Sequence, residues 1–125
     1  MKLSILPEPF AVSVAASGAA IPAWAMQGGF MSVTRTPDEL SIVCAEKFVP
    51  PDAVCERDWR ALKVEGILDF ALTGVMAALT VPLAEAKISV SVLSTFNTDY
   101  VLVKSEKLAD TVQTLRRNGY DILEP

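Results

Sequence analysis

The amino-acid sequence predicts an α+β fold: a ferredoxin-like βαββαβ unit over residues 53–125, preceded by a reduced, mostly β subdomain over residues 1–52. Three observations carry this. In the second half the hydrophobic period switches between two and 3.6, in the order strand, helix, strand, strand, helix, strand. The first half offers strand material and no helical stripe of useful length. A strand, polar turn, strand pattern also occurs twice, about sixty residues apart.

In the second half, Trp59 to Glu65 alternates as a strand does. Gly66 to Phe70 reads as a turn into a helix, with Asp69 as N-cap. Leu72, Val75, Met76, Leu79 and Leu83 recur at three- and four-residue spacing, the stripe of an amphipathic helix to Ala86. Gly74 would let that helix approach a sheet closely, and Pro82 should kink its last turn. Ile88 to Leu93 and Tyr100 to Val103 form a hairpin. Ser105 caps a second helix with Leu108, Val112 and Leu115 facing inward, Asn118-Gly119 stops it, and Tyr120 to Leu123 is a last strand. In the first half, strands are expected at Lys2 to Leu6, Phe10 to Val14, Ala23 to Met26, Phe30 to Val33 and Leu40 to Cys44. The two hairpins align best with Asp38 on Asp99 and Thr34 on Thr95. The connector Phe48 to Val54, with Pro50 and Pro51, separates the halves.

Composition narrows the function. The chain has 125 residues, 51% hydrophobic and 21% charged, enough to bury a core. A net charge of −4 with scattered Lys and Arg argues against a nucleic-acid partner. The pair Arg116, Arg117 suits a helix C-terminus instead. Without histidine, triads and imidazole acid–base chemistry are excluded, and a zinc site is not expected. Cys44 and Cys55 have no metal spacing and read as reduced thiols in a cytoplasmic protein. The N-terminus resembles a signal peptide, but Pro7, Glu8 and Pro9 interrupt its apolar run and Phe10 to Val14 alternates like a strand. No apolar stretch is long enough to span a membrane. Gly28-Gly29 is not followed by the residues of a phosphate loop. Neither a catalytic set nor a cofactor motif emerges.

A polar edge is the better candidate. Ferredoxin-like order brings the loop after the first strand, Gly66 to Phe70, beside Thr95, Phe96, Asn97, Thr98 and Asp99. Amide donors at a helix N-terminus suit a carboxylate, and Asp99 or carbonyls suit an ammonium group. A zwitterion such as an amino acid needs both. Phe70 and Phe96 could cover an apolar part, although phenylalanines in such positions are more often core. The competing account is that Thr95, Asn97 and Asp99 satisfy a wide turn by bonding its own backbone.

The run from Trp59 to Ile122, with KVEG, LTGV…PLAEAKIS and STFNTDYVLV as its most specific pieces, resembles an ACT domain. More narrowly it is similar to stand-alone ACT proteins related to the CASTOR-type arginine sensors. The segment FMSVTRTPDELSIVC resembles the reduced ACT-like half that precedes it in that group. The resemblance implies a regulatory protein that binds an amino acid and acts through a partner, such as a regulated enzyme. It places the ligand at Gly66, Ile67, Leu68, Asp69 and Phe70 and at Thr95, Phe96, Asn97, Thr98 and Asp99. It adds Ser32, Val33 and Thr34 from a neighbouring unit. Ile67 to Phe70 departs from the glycine-rich turn many members have. No kinase, dehydrogenase or DNA-binding segment is seen, so output through another protein is expected.

Exposed sheet edges lead to the expectation of a homodimer. The alternatives are a structural association module without a ligand and, less favoured, a small ferredoxin-like hydrolase. The latter would need a basic residue in GILDF, which has none.

Overall fold

The computed structural model describes residues 1–66 and 73–125. The chain divides into two compact units, residues 1–7 with 60–125 and residues 8–59. The strands are β1 (Lys2–Ile5), β2 (Phe10–Ala15), β3 (Met31–Arg35), β4 (Leu40–Ala45), β5 (Cys55–Val64), β6 (Ser91–Ser94), β7 (Asp99–Lys104) and β8 (Asp121–Leu123). The helices are α1 (Val75–Glu85) and α2 (Leu108–Arg117).

In the larger unit the strands run in the order β6, β7, β5, β1, β8. This is the ferredoxin-like sheet with one addition. The N-terminal strand β1, which the sequence places with the first half, lies between β5, to which it is antiparallel, and β8, to which it is parallel. Leu3 and Ile5 alternate inward there and join Leu62, Val64, Val101, Val103 and Ile122 under the helices. Leu79 and Leu83 of α1 and Val112 and Leu115 of α2 close that core from above. Burial of so many aliphatic side chains is the main stabilising term.

Both helices end alike. After α2, Tyr120 N–H donates to Leu115 O and Gly119 N–H to Arg116 O, with Gly119 at φ 88°. After α1, Ile88 N–H donates to Leu83 O and Lys87 N–H to Ala84 O, with Lys87 at φ 62°. Each is a Schellman stop, with Ile88 or Tyr120 packed back on the core. The Asn118-Gly119 signal is legible; Lys87 does the same task without being glycine.

Several expected details change. Ser105 opens a short 3₁₀ turn, Ser105–Lys107, and α2 proper begins at Leu108. Described helix in α1 begins at Val75 with Gly74 as N-cap at φ 77°. Gly74 therefore serves conformation, not close approach, since a Cβ there would meet nothing within 4 Å. Asp69 as cap lies outside the described residues. α1 also continues through Pro82 to Glu85. The missing amide would have bonded the carbonyl of Ala78, which is exposed, so solvent can take the donor's place.

The smaller unit has the order β3, β4, β2 and the first part of β5. Its core is Ala11, Leu40, Ile42 and Cys44 on the sheet, covered by Ala25, Val49 and Trp24. Ala23–Met26 is a 3₁₀ turn, not the expected strand. Pro22 precedes it, Gly28-Gly29 follows, and AWAM has no β-branched residue to hold it extended. Cys44 and Cys55 are free thiols. They pair with Ala11 and Ser13 on opposite sides of β2, so two strand spacings, about 9.5 Å, separate them. That exceeds the roughly 7 Å reach of a disulfide.

Candidate functional site

The β6–β7 hairpin closes with Ser94 opposite Asp99, leaving Thr95 to Thr98 as the turn. Thr95 N–H donates to Thr98 O at 2.8 Å, and Thr98 N–H donates to Thr95 Oγ1 at 3.3 Å. The Thr95 hydroxyl also donates to Thr98 O at 3.1 Å. Ser94 Oγ donates to Asp99 Oδ1 at 2.7 Å. Thr95 and Ser94 thus contribute to the turn itself, as the bland account requires. Asp99 keeps acceptor capacity, because a carboxylate has about four lone-pair sites and Ser94 fills one. Asn97 and Phe96 are exposed, Phe96 by 80%.

Thr98 reaches out of the hairpin. Its side chain is buried, 4% exposed, and Oγ1 donates to Val64 O at 2.6 Å. Val64 ends β5, two residues before Gly66. Gly66 turns at φ 91°, a conformation costly for any other residue type. The loop after β5 and the hairpin start are therefore joined by a buried hydrogen bond. On the far side of Glu65, Ser4 Oγ donates to Glu65 Oε1 and Glu65 N–H to Lys2 O, so β1 also holds this corner. Ile67, Leu68, Asp69 and Phe70 lie outside the described residues.

Ser32, Val33 and Thr34 lie in the smaller unit, in the middle of β3 opposite Val43, Ile42 and Ser41. Ser32 and Val33 are strand, as expected, and Thr34, which the alignment set on Thr95 of the turn, is strand as well. The turn is Thr36 to Glu39, where Thr36 N–H donates to Glu39 O and the amides of Asp38 and Glu39 donate to Thr36 Oγ1. Thr36 therefore corresponds to Thr95. The repeat is real, but two residues away from the alignment read in the sequence, which set Thr34 on Thr95. Arg35↔Leu40 and Ser94↔Asp99 close the two hairpins, and 3₁₀ turns Glu46–Phe48 and Ser105–Lys107 follow β4 and β7 at the same shift. Threonine at the first turn position was the signal that would have set the register.

The guanidinium of Arg35 donates to Ser17 O and, at 2.8 Å, to Ala19 O, while Ser17 Oγ donates to Thr36 O at 2.7 Å. The loop after β2 is thus tied to its hairpin, as Val64 is to Thr98. An arginine spans the first of these corners.

Away from this corner, a groove of about 700 Å³ runs along α2, lined by Leu108, Val112 and Arg116 among others. Arg116 donates to Ile122 O at 3.1 Å and pairs with Glu124 at 3.5 Å. It therefore occupies an outward carbonyl of edge strand β8. Among the described residues no cluster of metal-ligating side chains occurs, and no helix is long and apolar enough to cross a membrane.

A family model of the ACT domain matches residues 54–117, and a second, of an N-terminal domain, matches residues 8–52. The chain belongs to the ACT domain family. It is 33% identical over 104 residues to the cytosolic arginine sensor for mTORC1 subunit 1 of Bos taurus, and 32% identical to that of Homo sapiens. These alignments cover 74% of this chain and 31% of each relative, so the chain spans about a third of their length. Among solved structures, an Agrobacterium tumefaciens protein superposes with a TM-score of 0.94 at 39% identity, over 99% of this chain and 92% of that one. The regulatory subunit of aspartate kinase from Thermus thermophilus has a TM-score of 0.66 at 9% identity, over 94% and 96% of the two chains, which establishes the fold alone.

Proposed function

We propose that this protein is a cytoplasmic regulatory protein that binds an amino acid at the corner between Gly66 and the β6–β7 hairpin and acts through a partner, without catalysis of its own. Residues 1–52 and 53–125 serve as a reduced and a full ACT-like half, and the chain works as a homodimer. The observation that carries the reading is the buried Thr98–Val64 bond, which holds the loop after β5 against the hairpin bearing Asp99. The carboxylate of Asp99 is the acceptor for an ammonium group, and backbone amides of the following loop are the donors for a carboxylate. The relatives' description as arginine sensors makes arginine the first ligand to try.

Thermal shift with each of the twenty amino acids tests this. A ligand that binds only the native state raises the melting temperature, by about 2.7 kcal/mol of stabilisation at a hundredfold excess over Kd. Asp99→Ala should abolish the shift. A second reading has its own support: Thr95 and Ser94 bond within the turn, as they would in an association module with no ligand. Absence of any shift at millimolar amino acid, with a partner captured regardless, would favour it.

A further inference from the structure

The chain holds two asparagines, Asn97 and Asn118, and only Asn118 is followed by glycine. That dipeptide has a chemistry of its own. The amide nitrogen of the next residue can close a succinimide ring on the asparagine side chain, and glycine, with no Cβ, hinders the approach least. No aspartate is followed by glycine either, so the end of α2 is the one place in the sequence with this reactivity.

The structure holds Asn118 where that ring cannot close. Its backbone sits at φ −93° and ψ 15°. At that ψ the Gly119 nitrogen lies across the Cα–C bond from Cβ, whereas cyclisation needs the two nearly eclipsed. The reacting groups are also engaged. Gly119 N–H donates to Arg116 O at 3.1 Å, and Asn118 Nδ2 donates to Thr114 O at 2.8 Å. Tyr120 clamps the same turn: its N–H donates to Leu115 O at 3.1 Å and its side chain packs on the core. Asn118 and Gly119 are nonetheless exposed, so water reaches both. Helix ends fray more readily than a whole fold opens.

We propose that Asn118 is a deamidation site gated by the C-terminal cap of α2, closed while Tyr120 is docked and open when the last turn frays. Once the turn opens, the Gly119 nitrogen gives up its proton and bonds Asn118 Cγ. The Cγ–Nδ2 bond breaks, and Nδ2 leaves as ammonia with that proton. Water then opens the succinimide at either carbonyl. One product is aspartate; the other is isoaspartate, in which the former Asn118 Cβ joins the main chain. Both put a negative charge at the negative end of the α2 dipole and replace a donor to Thr114 O by an acceptor. The longer main chain of isoaspartate also displaces Tyr120 and Asp121, and Asp121 N–H donates to Met1 O at 3.0 Å. Modification therefore releases the clamp that prevents it and loosens β8 from β1. The gate does not depend on amino-acid binding at the hairpin corner.

Peptide mapping by mass spectrometry during incubation in neutral buffer tests it, with isoaspartate separated from aspartate by chromatography. Asn118 should deamidate in the urea-unfolded chain, and roughly tenfold or more slower in the native protein, where the cap must first open. Tyr120→Ala should speed the native reaction several-fold and leave the unfolded rate as it was. Tyr120→Phe, which keeps the ring, should react as the native chain does. Val103 is fully buried in the same core, away from the cap. Val103→Ala weakens that core and should not speed the reaction, which separates fraying of the cap from global unfolding. Equal native and unfolded rates, or no reaction at Asn118 in urea, would overturn the proposal. So would a Tyr120→Ala variant no faster than the native chain, or a Val103→Ala variant as fast as Tyr120→Ala.

Discussion

Replacing Thr98 by valine keeps the shape of the side chain and deletes its hydroxyl. Thr98 is 4% exposed and Val64 fully buried, so no solvent replaces the lost donor at Val64 O. A hydrogen bond contributes about 0.5–1.5 kcal/mol net, and a buried acceptor losing a partner adds desolvation cost, so about 1–2 kcal/mol is expected. At about 4 °C per kcal/mol for a chain of this size, melting should fall by roughly 4–8 °C. Thr98→Ser keeps the hydroxyl and should lose only part of that. Differential scanning calorimetry of the three proteins is the assay. A valine variant melting with the native protein, or a serine variant as damaged as the valine one, would refute the inference that this bond holds the corner together.

Four further outcomes follow from local chemistry. Lys87→Gly should stabilise by roughly 0.5–1 kcal/mol in urea titration, since Lys87 sits at φ 62°; Gly119→Ala, at φ 88°, should cost about 1 kcal/mol. Stability should be level through neutral pH and fall on the alkaline side. Burial raises the Cys44 thiol, with Cys55 adding to the shift, and burial raises the Tyr120 phenol. Both groups hold their protons longer folded than unfolded, so the loss begins near the unfolded thiol's value, about 8.5, and grows as pH passes through the folded values. The raised, buried Cys44 should also resist iodoacetamide in the native protein at neutral pH while reacting in urea, by mass spectrometry.

The parts of the fold written in local patterning were legible. Leu79 and Leu83, and Val112 and Leu115, announce the inner faces of the two helices by spacing alone, and Gly119 marks a stop because few other residues adopt its backbone. What depends on distant partners was not. Lys2–Ile5 reads as one more strand of the first half, and nothing local says that it inserts between β5 and β8. Ala23–Met26 is apolar enough for a strand, and Pro22 and the glycine pair outweigh that. The hairpin repeat was visible, but aligning aspartates displaced its register by two, because hydrogen bonding in both turns hinges on the threonines. At the candidate site, the chemistry of Thr95 to Asp99 could be read directly. The division of labour could not: Thr98 turns inward to Val64 while Asp99 keeps acceptor capacity. Arg35 gave no sign in the sequence that it spans to the loop after β2.

The most direct measurement is amide hydrogen exchange with and without the amino acid that raises the melting temperature most. The account predicts slowed exchange concentrated from Gly66 to Phe70 and from Thr95 to Asp99. Slowing along α2 instead, from Leu108 to Arg117, or nowhere in these segments, would contradict it.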